Sequence, residues 1–385
     1  MKNHIPESQG ITTNTLISFI LFWLIQLPFL YMHPNNLRWL FMVKSVIVPI
    51  SWIAILVWAF VATDGGGELF DQKPTITGSA YSWAFLSSLT SVIGNYATLS
   101  VNQADFYRYS RVSVKWQLIY VPFLPIIFTF ISFIGIAAAS AGSARYGTLD
   151  WDPMALISHW SSRACRFFAA FSFALAALGV NISANSLSAA NDLTALFPQY
   201  VNIRRGQLLC AIIAWALVPW KILKSAGSFL NFMSAYAVFL GPIAAIMVGD
   251  FWWIHKRKYD TLALYQRHSI YRYWHGVNWR AIVAFLVNIA PNMPGFINSI
   301  NPSIEVGVGS RPYTFGWLLG FVGTSIVYVG LSTVFPQRET LIEKAVLPDE
   351  VYDGNGYVDE GVSIEGSGSG EEVVERTEKG DGRGD

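Results

Sequence analysis

Two stretches of the chain place amide side chains inside otherwise apolar segments. In the first, Asn181, Asn185 and Ser188 recur at i, i+4 and i+7, the spacing that puts side chains on one face of an α-helix. An amide carries both a donor and an acceptor, so a face of this kind can pair with the polar edge of a nucleobase or a ureide. The alternative is that these amides join neighbouring helices, since the Ala and Ser between them favour close packing.

The second stretch contains Gly94, Asn95 and Tyr96. A Gly followed by an Asn weakens a helix, and a break inside an apolar helix would free backbone groups to bind a polar solute. Tyr96, beside the expected break, offers a planar face on which a heterocycle can stack. The alternative is a simple kink, with Asn95 bonded to a neighbouring helix.

Membrane-spanning helices must carry both stretches. Of 385 residues, 53% are hydrophobic and only 13% are charged, against about 25% charged residues in soluble domains. Crossing a hydrocarbon core of about 30 Å takes about 20 helical residues. The composition predicts an all-α integral membrane protein, with a short polar segment at 1–11 and a transmembrane domain at 12–337. Nine spans are predicted near 12–32, 36–63, 80–104, 116–144, 167–191, 206–220, 225–249, 281–304 and 312–337.

The charges separate a basic body from an acidic tail. Residues 339–385 hold 14 of the 25 Asp and Glu but 4 of the 26 Lys and Arg. We expect 338–385 to be disordered, because this Gly- and Ser-rich segment has little apolar surface to bury. The excess of Lys and Arg in alternate connections predicts that the tail is cytosolic. Within the spans, Lys44 is expected to extend its amine toward the inner surface.

The sequence contains no motif typical of an enzyme or a metal site. HExxH, GxSxG and the P-loop are absent, and Cys165 and Cys210 lie far apart without a CxxC pair. The basic connections are short and adjacent to the membrane, which favours contact with lipid headgroups over nucleic acid. We therefore predict no enzymatic activity, no metal, no cofactor and no nucleic-acid partner.

Five ordered motifs resemble those of the nucleobase cation symporter family one. Gly94-Asn95-Tyr96-Ala97-Thr98, followed by Asp105-Phe106-Tyr107-Arg108-Tyr109, resembles the sixth helix of that family, and Asn181 to Leu193 resembles its eighth. Motifs at 241–252, 278–281 and 294–299 are similar to its tenth and eleventh helices. The pattern is most similar to the fungal Fur branch of uracil, allantoin and uridine permeases, and it covers residues 2 to about 338.

The resemblance implies a twelve-helix transporter built on the inverted five-helix repeat of the LeuT fold. Nine predicted spans then correspond to helices four to twelve, and the chain would lack the first three. The odd count is consistent with this expectation, because it leaves the amino terminus outside without an export signal. The resemblance also implies that Asn185 and Asn181 pair with the substrate, while Gly94, Asn95 and Tyr96 form the opposing wall.

The resemblance also suggests a coupling ion and a gate. Ala176 matches a residue whose carbonyl binds sodium in bacterial relatives, but Gly179 and Val180 replace the hydroxyl pair expected beside it. The similarity to fungal members therefore implies a proton as the coupling ion. Phe239 and Leu240 would belong to an outer gate.

The resulting prediction is proton-coupled uptake of a uracil-, allantoin- or uridine-like solute across the plasma membrane by alternating access. The expected partners are this small molecule, the proton and membrane lipids, and a homo-oligomer is left open. Two alternatives also stay open. One is a truncated, non-transporting membrane remnant of such a permease, and the other is a membrane receptor that binds the same solutes.

Overall fold

The computed structural model describes residues 2–32, 34–65, 75–107, 113–223, 226–266 and 268–346. Its main helices are α1 (Thr13–Tyr31), α2 (Arg38–Ala62), α3 (Gly78–Tyr107), α4 (Tyr120–Tyr146), α5 (Pro153–Ser158), α6 (Arg163–Val180), α7 (Ser188–Leu196), α8 (Ile203–Ala216), α9 (Ala226–Gly249), α10 (Trp279–Ile289), α11 (Met293–Ile300) and α12 (Gly316–Val334). A π-helical segment, Asn181–Leu187, joins α6 to α7 without interruption. A 3₁₀ turn, Ala290–Asn292, joins α10 to α11. The described chain is therefore almost entirely helical.

Each predicted span overlaps a helix, and seven helical segments are long and apolar enough to cross a membrane. The two remaining predicted spans fall on α3, which is rich in polar residues, and on α8, which has 14 residues. The predicted window 206–220 extends past the end of α8. The helix ends at Ala216 because Val218 takes a left-handed backbone conformation, with φ 48°, and Pro219 begins a new turn.

The chain divides into two compact units, and the larger comprises Met1–Val248 and Arg280–Tyr328. One apolar cluster in this unit joins α1, α6, the π-helical segment and α8. It contains the buried side chains of Leu30, Leu37, Leu178, Ile182 and Ala211. The indole of Trp23 donates a hydrogen bond to the Ala211 carbonyl at 3.0 Å. This packing fixes the position of the π-helical segment.

Small residues bring α2 and α4 close together in the same unit. Ala59, Ala137 and Ala141 are fully buried where the two helices meet. The opposite face of α2 leaves large apolar side chains exposed, including Ile50, Ile53, Val57 and Val61. Lipid tails can cover such a surface, as expected for a helix that faces a bilayer.

The second unit comprises Gly249–Trp279 and the chain from Val329 onward. At its centre, His255 is 4% exposed, and its Nε2 lies 3.0 Å from the Thr340 hydroxyl. The Tyr259 hydroxyl donates to the Asp250 carboxylate and lies 3.0 Å from His255 Nδ1. Burial raises the pKa of the nearby Tyr271 phenol above its ordinary value, so this group stays uncharged at neutral pH.

The beginning of the predicted disordered tail is ordered. Residues Arg338–Thr340 form a 3₁₀ turn. Val346 donates to the Tyr259 carbonyl at 2.9 Å and accepts from the Thr261 amide at 3.1 Å. The expectation of disorder is therefore wrong for 338–346, because backbone hydrogen bonds hold this segment against the 259–261 loop. Residues 347–385, the rest of the predicted tail, lie outside the described residues.

Candidate functional site

The π-helical segment brings the two predicted substrate amides together. The Asn185 side-chain amide donates to the Asn181 carbonyl oxygen at 3.1 Å, so the two residues share a helical face. Asn185 is exposed and Asn181 is half-buried. Ser188, the third residue of the predicted face, is buried at 4% exposure. The wider turn of the π-helix explains this difference, because it shifts later residues around the axis relative to an α-helix.

Behind this pair lies a residue that the sequence analysis missed. Gln26 of α1 is 6% exposed, and its side-chain oxygen accepts from the Asn181 amide at 2.7 Å. Three side-chain amides thus form a chain from the interior of the α1 packing surface to the exposed Asn185. A single Gln within a long apolar helix was the available signal, since an amide at that depth requires a partner.

The predicted break at Gly94 and Asn95 is wrong. α3 runs through both residues, and its non-helical backbone angles occur at Asn102, with φ −105° and ψ 19°. Gly94 serves as a packing position instead. A Cβ added there would lie 2.7 Å from the backbone oxygen of Met233 in α9. The Tyr236 hydroxyl donates to the Gly94 carbonyl at 2.7 Å, so this carbonyl is already bonded to the protein.

The other two residues of the predicted opposing wall differ in their surroundings. Tyr96 is half-buried, and its ring lies 4.4 Å from the Phe128 ring of α4, measured between centroids, at 53° between planes. Asn95 is exposed. α3 lies against the π-helical segment and α7. The structure thus places the two predicted walls on neighbouring helices.

A lysine amine occupies the space beside the predicted cation position. Gly179 is buried, and a Cβ added there would lie 2.6 Å from Lys44 Cδ and 3.0 Å from its Nζ. Gly179 lies midway along the span Arg163–Leu196. The Lys44 side chain therefore lies against α6, and its extension toward the inner surface stays a prediction. The absence of a side chain at Gly179 provides the space.

The remaining residues of the predicted cation site differ in exposure, and one of its carbonyls is already bonded. Ala176 is half-buried, and Val180 is 48% exposed. The Gly179 carbonyl accepts from the Ser183 hydroxyl at 2.9 Å. Among the residues that the structure describes, no three His, Cys, Asp or Glu side chains are grouped as they would be around a metal ion.

The predicted gate residues lie on α9. Phe239 packs edge-on against Phe296 of α11, with 5.7 Å between ring centroids. It also lines a cavity of about 370 Å³ whose wall includes Tyr236, Phe296 and Ser299. Leu240 is half-buried. The role of both residues as a gate stays a prediction.

Comparison with known proteins decides what kind of molecule carries this arrangement. Residues 2–320 match the family model described as permease for cytosine/purines, uracil, thiamine, allantoin. The chain belongs to this permease family. The predicted resemblance to a permease family is therefore confirmed.

Individual relatives of the permease family support the fungal resemblance. An uncharacterized permease of Schizosaccharomyces pombe is 39% identical over 90% of this chain and 63% of its own length. The allantoin permease and the uracil permease of Saccharomyces cerevisiae are each 37% identical, over 87% of this chain and 56% of their own lengths. The chain thus spans about three fifths of these curated permeases.

Solved structures confirm the fold class. The inward-facing conformation of Mhp1 aligns with a TM-score of 0.62 at 21% identity, over 87% of this chain and 69% of that chain. A closed conformation of Mhp1, a nucleobase-cation-symport-1 family transporter with bromovinylhydantoin bound, aligns with the same score over 84% of this chain. The helices of this chain therefore follow the LeuT-type arrangement.

Proposed function

We propose that this protein carries a uracil-, allantoin- or uridine-like solute across the plasma membrane by alternating access, with its tail in the cytosol. The observation that supports this most is the pair of bonded amides, Asn181 and Asn185, on the π-helical segment. Interruptions of α-helical geometry in membrane proteins are typical of binding sites. Permeases named for uracil and for allantoin are 37% identical to this chain.

In this proposal, Asn185 pairs with the polar edge of the solute, and Tyr96 belongs to the opposing wall with Asn95. The exposed position of Asn185 leaves its outer edge accessible. Tyr96 already packs one side against Phe128, and its other side is the one we assign to stacking. Gly94 contributes through packing, since its carbonyl is bonded to Tyr236.

We further propose that a proton, carried by Lys44, takes the place of a sodium ion. The Lys44 amine lies beside Gly179, where the resemblance places a sodium hydroxyl ligand. A second cation in the same space would be repelled by the ammonium in a medium of low dielectric constant. Removal of a lysine amine from water disfavours its charged form, which brings loss of the proton closer to the working pH range. Lys44 therefore offers one charge that a proton can add or remove during the cycle.

Uptake of labelled uracil, allantoin and uridine, at pH 5 and pH 7, tests the function in cells without their own permeases. The 385-residue chain is compared with a form extended by any in-frame coding sequence upstream of Met1. Accumulation that increases at acidic pH supports the proposal. Binding without accumulation in both forms would favour a receptor, and neither binding nor accumulation in both forms would favour a non-transporting remnant.

Lys44→Met tests the coupling separately. We expect accumulation against a gradient to be lost and uptake to become independent of pH, while exchange of internal for external solute continues. Lys221→Met is the matched control, because Lys221 is an exposed lysine in the connection between α8 and α9. Unchanged acid stimulation in Lys44→Met would remove Lys44 from the proton pathway.

A further inference from the structure

Gln26 has a role that neither its own helix nor the family resemblance explains. It lies in α1, where the buried residues are Gln26 and Leu30, and its side-chain oxygen accepts a hydrogen bond from Asn181. A buried amide without a partner in an apolar region costs free energy, so the 2.7 Å bond to Asn181 fixes both side chains. The position of Gln26 behind the proposed site suggests that it acts through Asn181.

The order of donors and acceptors in the amide chain (Gln26, Asn181 and Asn185) sets the polarity of its exposed end. The Gln26 oxygen accepts from the Asn181 NH₂ group. The Asn181 oxygen then faces the Asn185 NH₂ group, which donates to it at 3.1 Å. One Asn185 proton is thereby used. Its side-chain oxygen takes no part in this bond, and Asn185 is exposed, so the oxygen is accessible to a solute.

Connected amides hold this polarity better than a single amide would. The two ends of an isolated Asn side chain are similar in size, so rotation by 180° exchanges donor and acceptor at little steric cost. In the amide chain, reversing Asn185 would oppose two oxygens unless Asn181 and Gln26 also reversed. Gln26 is buried at 6% exposure, so the polarity reverses only if three amides turn together, one of them inside the packed interior.

We propose that Gln26 is a positioning residue, which acts through Asn181 to present the Asn185 oxygen as a fixed acceptor for a ring N–H. This inference rests on the proposed function, and it specifies the substrate class as cyclic imides, lactams and ureides that carry an N–H beside a carbonyl. Such an edge offers a donor to the Asn185 oxygen and an acceptor to the remaining Asn185 proton. A ring with only acceptors on that edge leaves the oxygen unpaired.

The test compares two variants of similar size. Gln26→Met keeps the length of the side chain and removes the acceptor, whereas Gln26→Glu keeps an oxygen at the same position. KM and Vmax are measured for uracil uptake, and inhibition constants are measured for 1-methyluracil and 3-methyluracil, each of which lacks one ring N–H. Surface protein is quantified for every variant.

In the wild-type protein, we expect methylation of the contacted nitrogen to weaken inhibition about tenfold or more. In Gln26→Met, KM for uracil should rise about 5- to 20-fold with Vmax unchanged, and the penalty for methylation should shrink to about twofold. Gln26→Glu should restore both values toward the wild type. A loss of surface protein without a change in KM, or an undiminished methylation penalty in Gln26→Met, would overturn the positioning role.

A second measurement distinguishes failure of this inference from failure of the proposed function. Side-chain NH₂ signals of ¹⁵N-Asn-labelled protein in detergent are assigned with Asn181→Ala and Asn185→Ala. Gln26→Met should shift both signals and Gln26→Glu should leave them near their wild-type positions. If no solute is bound or carried but the signals respond in this way, the positioning role stands and the substrate assignment fails. Signals that do not respond overturn the positioning role itself.

Discussion

The α3 and α6 regions of the chain look alike in sequence and behave differently in the fold. Each has a Gly followed within two positions by an Asn inside a predicted membrane span. In α3, Gly94 packs on the Met233 backbone and its carbonyl is bonded to Tyr236. In the α6 region, the helix changes to π-helical geometry after Gly179, and the amides end in an exposed Asn185. The backbone carbonyl at the first glycine is thus bonded within the protein, whereas the amides after the second glycine lead to an accessible side chain.

The largest expected effect is the difference in uptake between an asparagine substitution in the α6 region and one in α3. Asn185→Ala should reduce uptake about 10- to 100-fold at subsaturating solute, because it removes a hydrogen-bonding edge worth about 1.4 to 2.8 kcal/mol. Asn95→Ala should reduce uptake by less than about fivefold, since Asn95 is exposed on a regular helix. Radiolabelled uptake, normalised to surface protein, measures both. Equal losses in the two variants would erase the distinction between the regions.

Substitution of Gly94 and substitution of Gly179 should differ in their effect on the stability of the protein. Gly94→Ala places a methyl group 2.7 Å from a backbone oxygen, which cannot move without the helix, and should cost about 1 to 3 kcal/mol. Gly179→Ala meets the Lys44 side chain, which is flexible and can turn away. Gly179→Ala should therefore change uptake more than it changes the stability of the folded protein. Melting temperatures of the purified proteins provide the comparison.

Gly135→Ala is the control for both substitutions. Gly135 lies in α4, and a Cβ there has nothing within 4 Å. Since Ala favours a helix over Gly by up to about 1 kcal/mol, this variant should be at least as stable as the wild type. If Gly94→Ala and Gly135→Ala have the same melting temperature, α3 and α9 are not closely packed.

The smallest expected effect concerns the hydrogen bond that the Gly94 carbonyl of α3 accepts from the Tyr236 hydroxyl. Tyr236→Phe removes the hydroxyl that donates to Gly94 at 2.7 Å and should destabilise the protein by about 1 kcal/mol. Uptake should stay within about twofold of the wild type. Tyr120→Phe, at an exposed tyrosine of α4, is the control for loss of a hydroxyl. A large loss of uptake in Tyr236→Phe alone would place the Tyr236 hydroxyl itself in the solute site.

Much of the fold was predictable from local properties. A bilayer demands long apolar helices, so hydropathy located the segments that became the helices between Thr13 and Val334. The spacing of Asn181 and Asn185 predicted that they share a face, and the 3.1 Å bond between them confirms it. The break predicted at Gly94 failed because a local propensity of about 1 kcal/mol is overridden when a glycine allows close helix packing.

The sequence by itself determined the membrane-spanning helical body, the resemblance to a permease family and the amide face of the eighth-helix motif. Tertiary structure decided what those residues contact. Gln26 meets Asn181 across 155 positions of sequence, and Lys44 meets Gly179 from another helix. Hydropathy and spacing depend on neighbours within a few turns, whereas these contacts depend on which helix faces pack together. For that reason, the contacts of Gln26 and Lys44 became visible only in the folded chain.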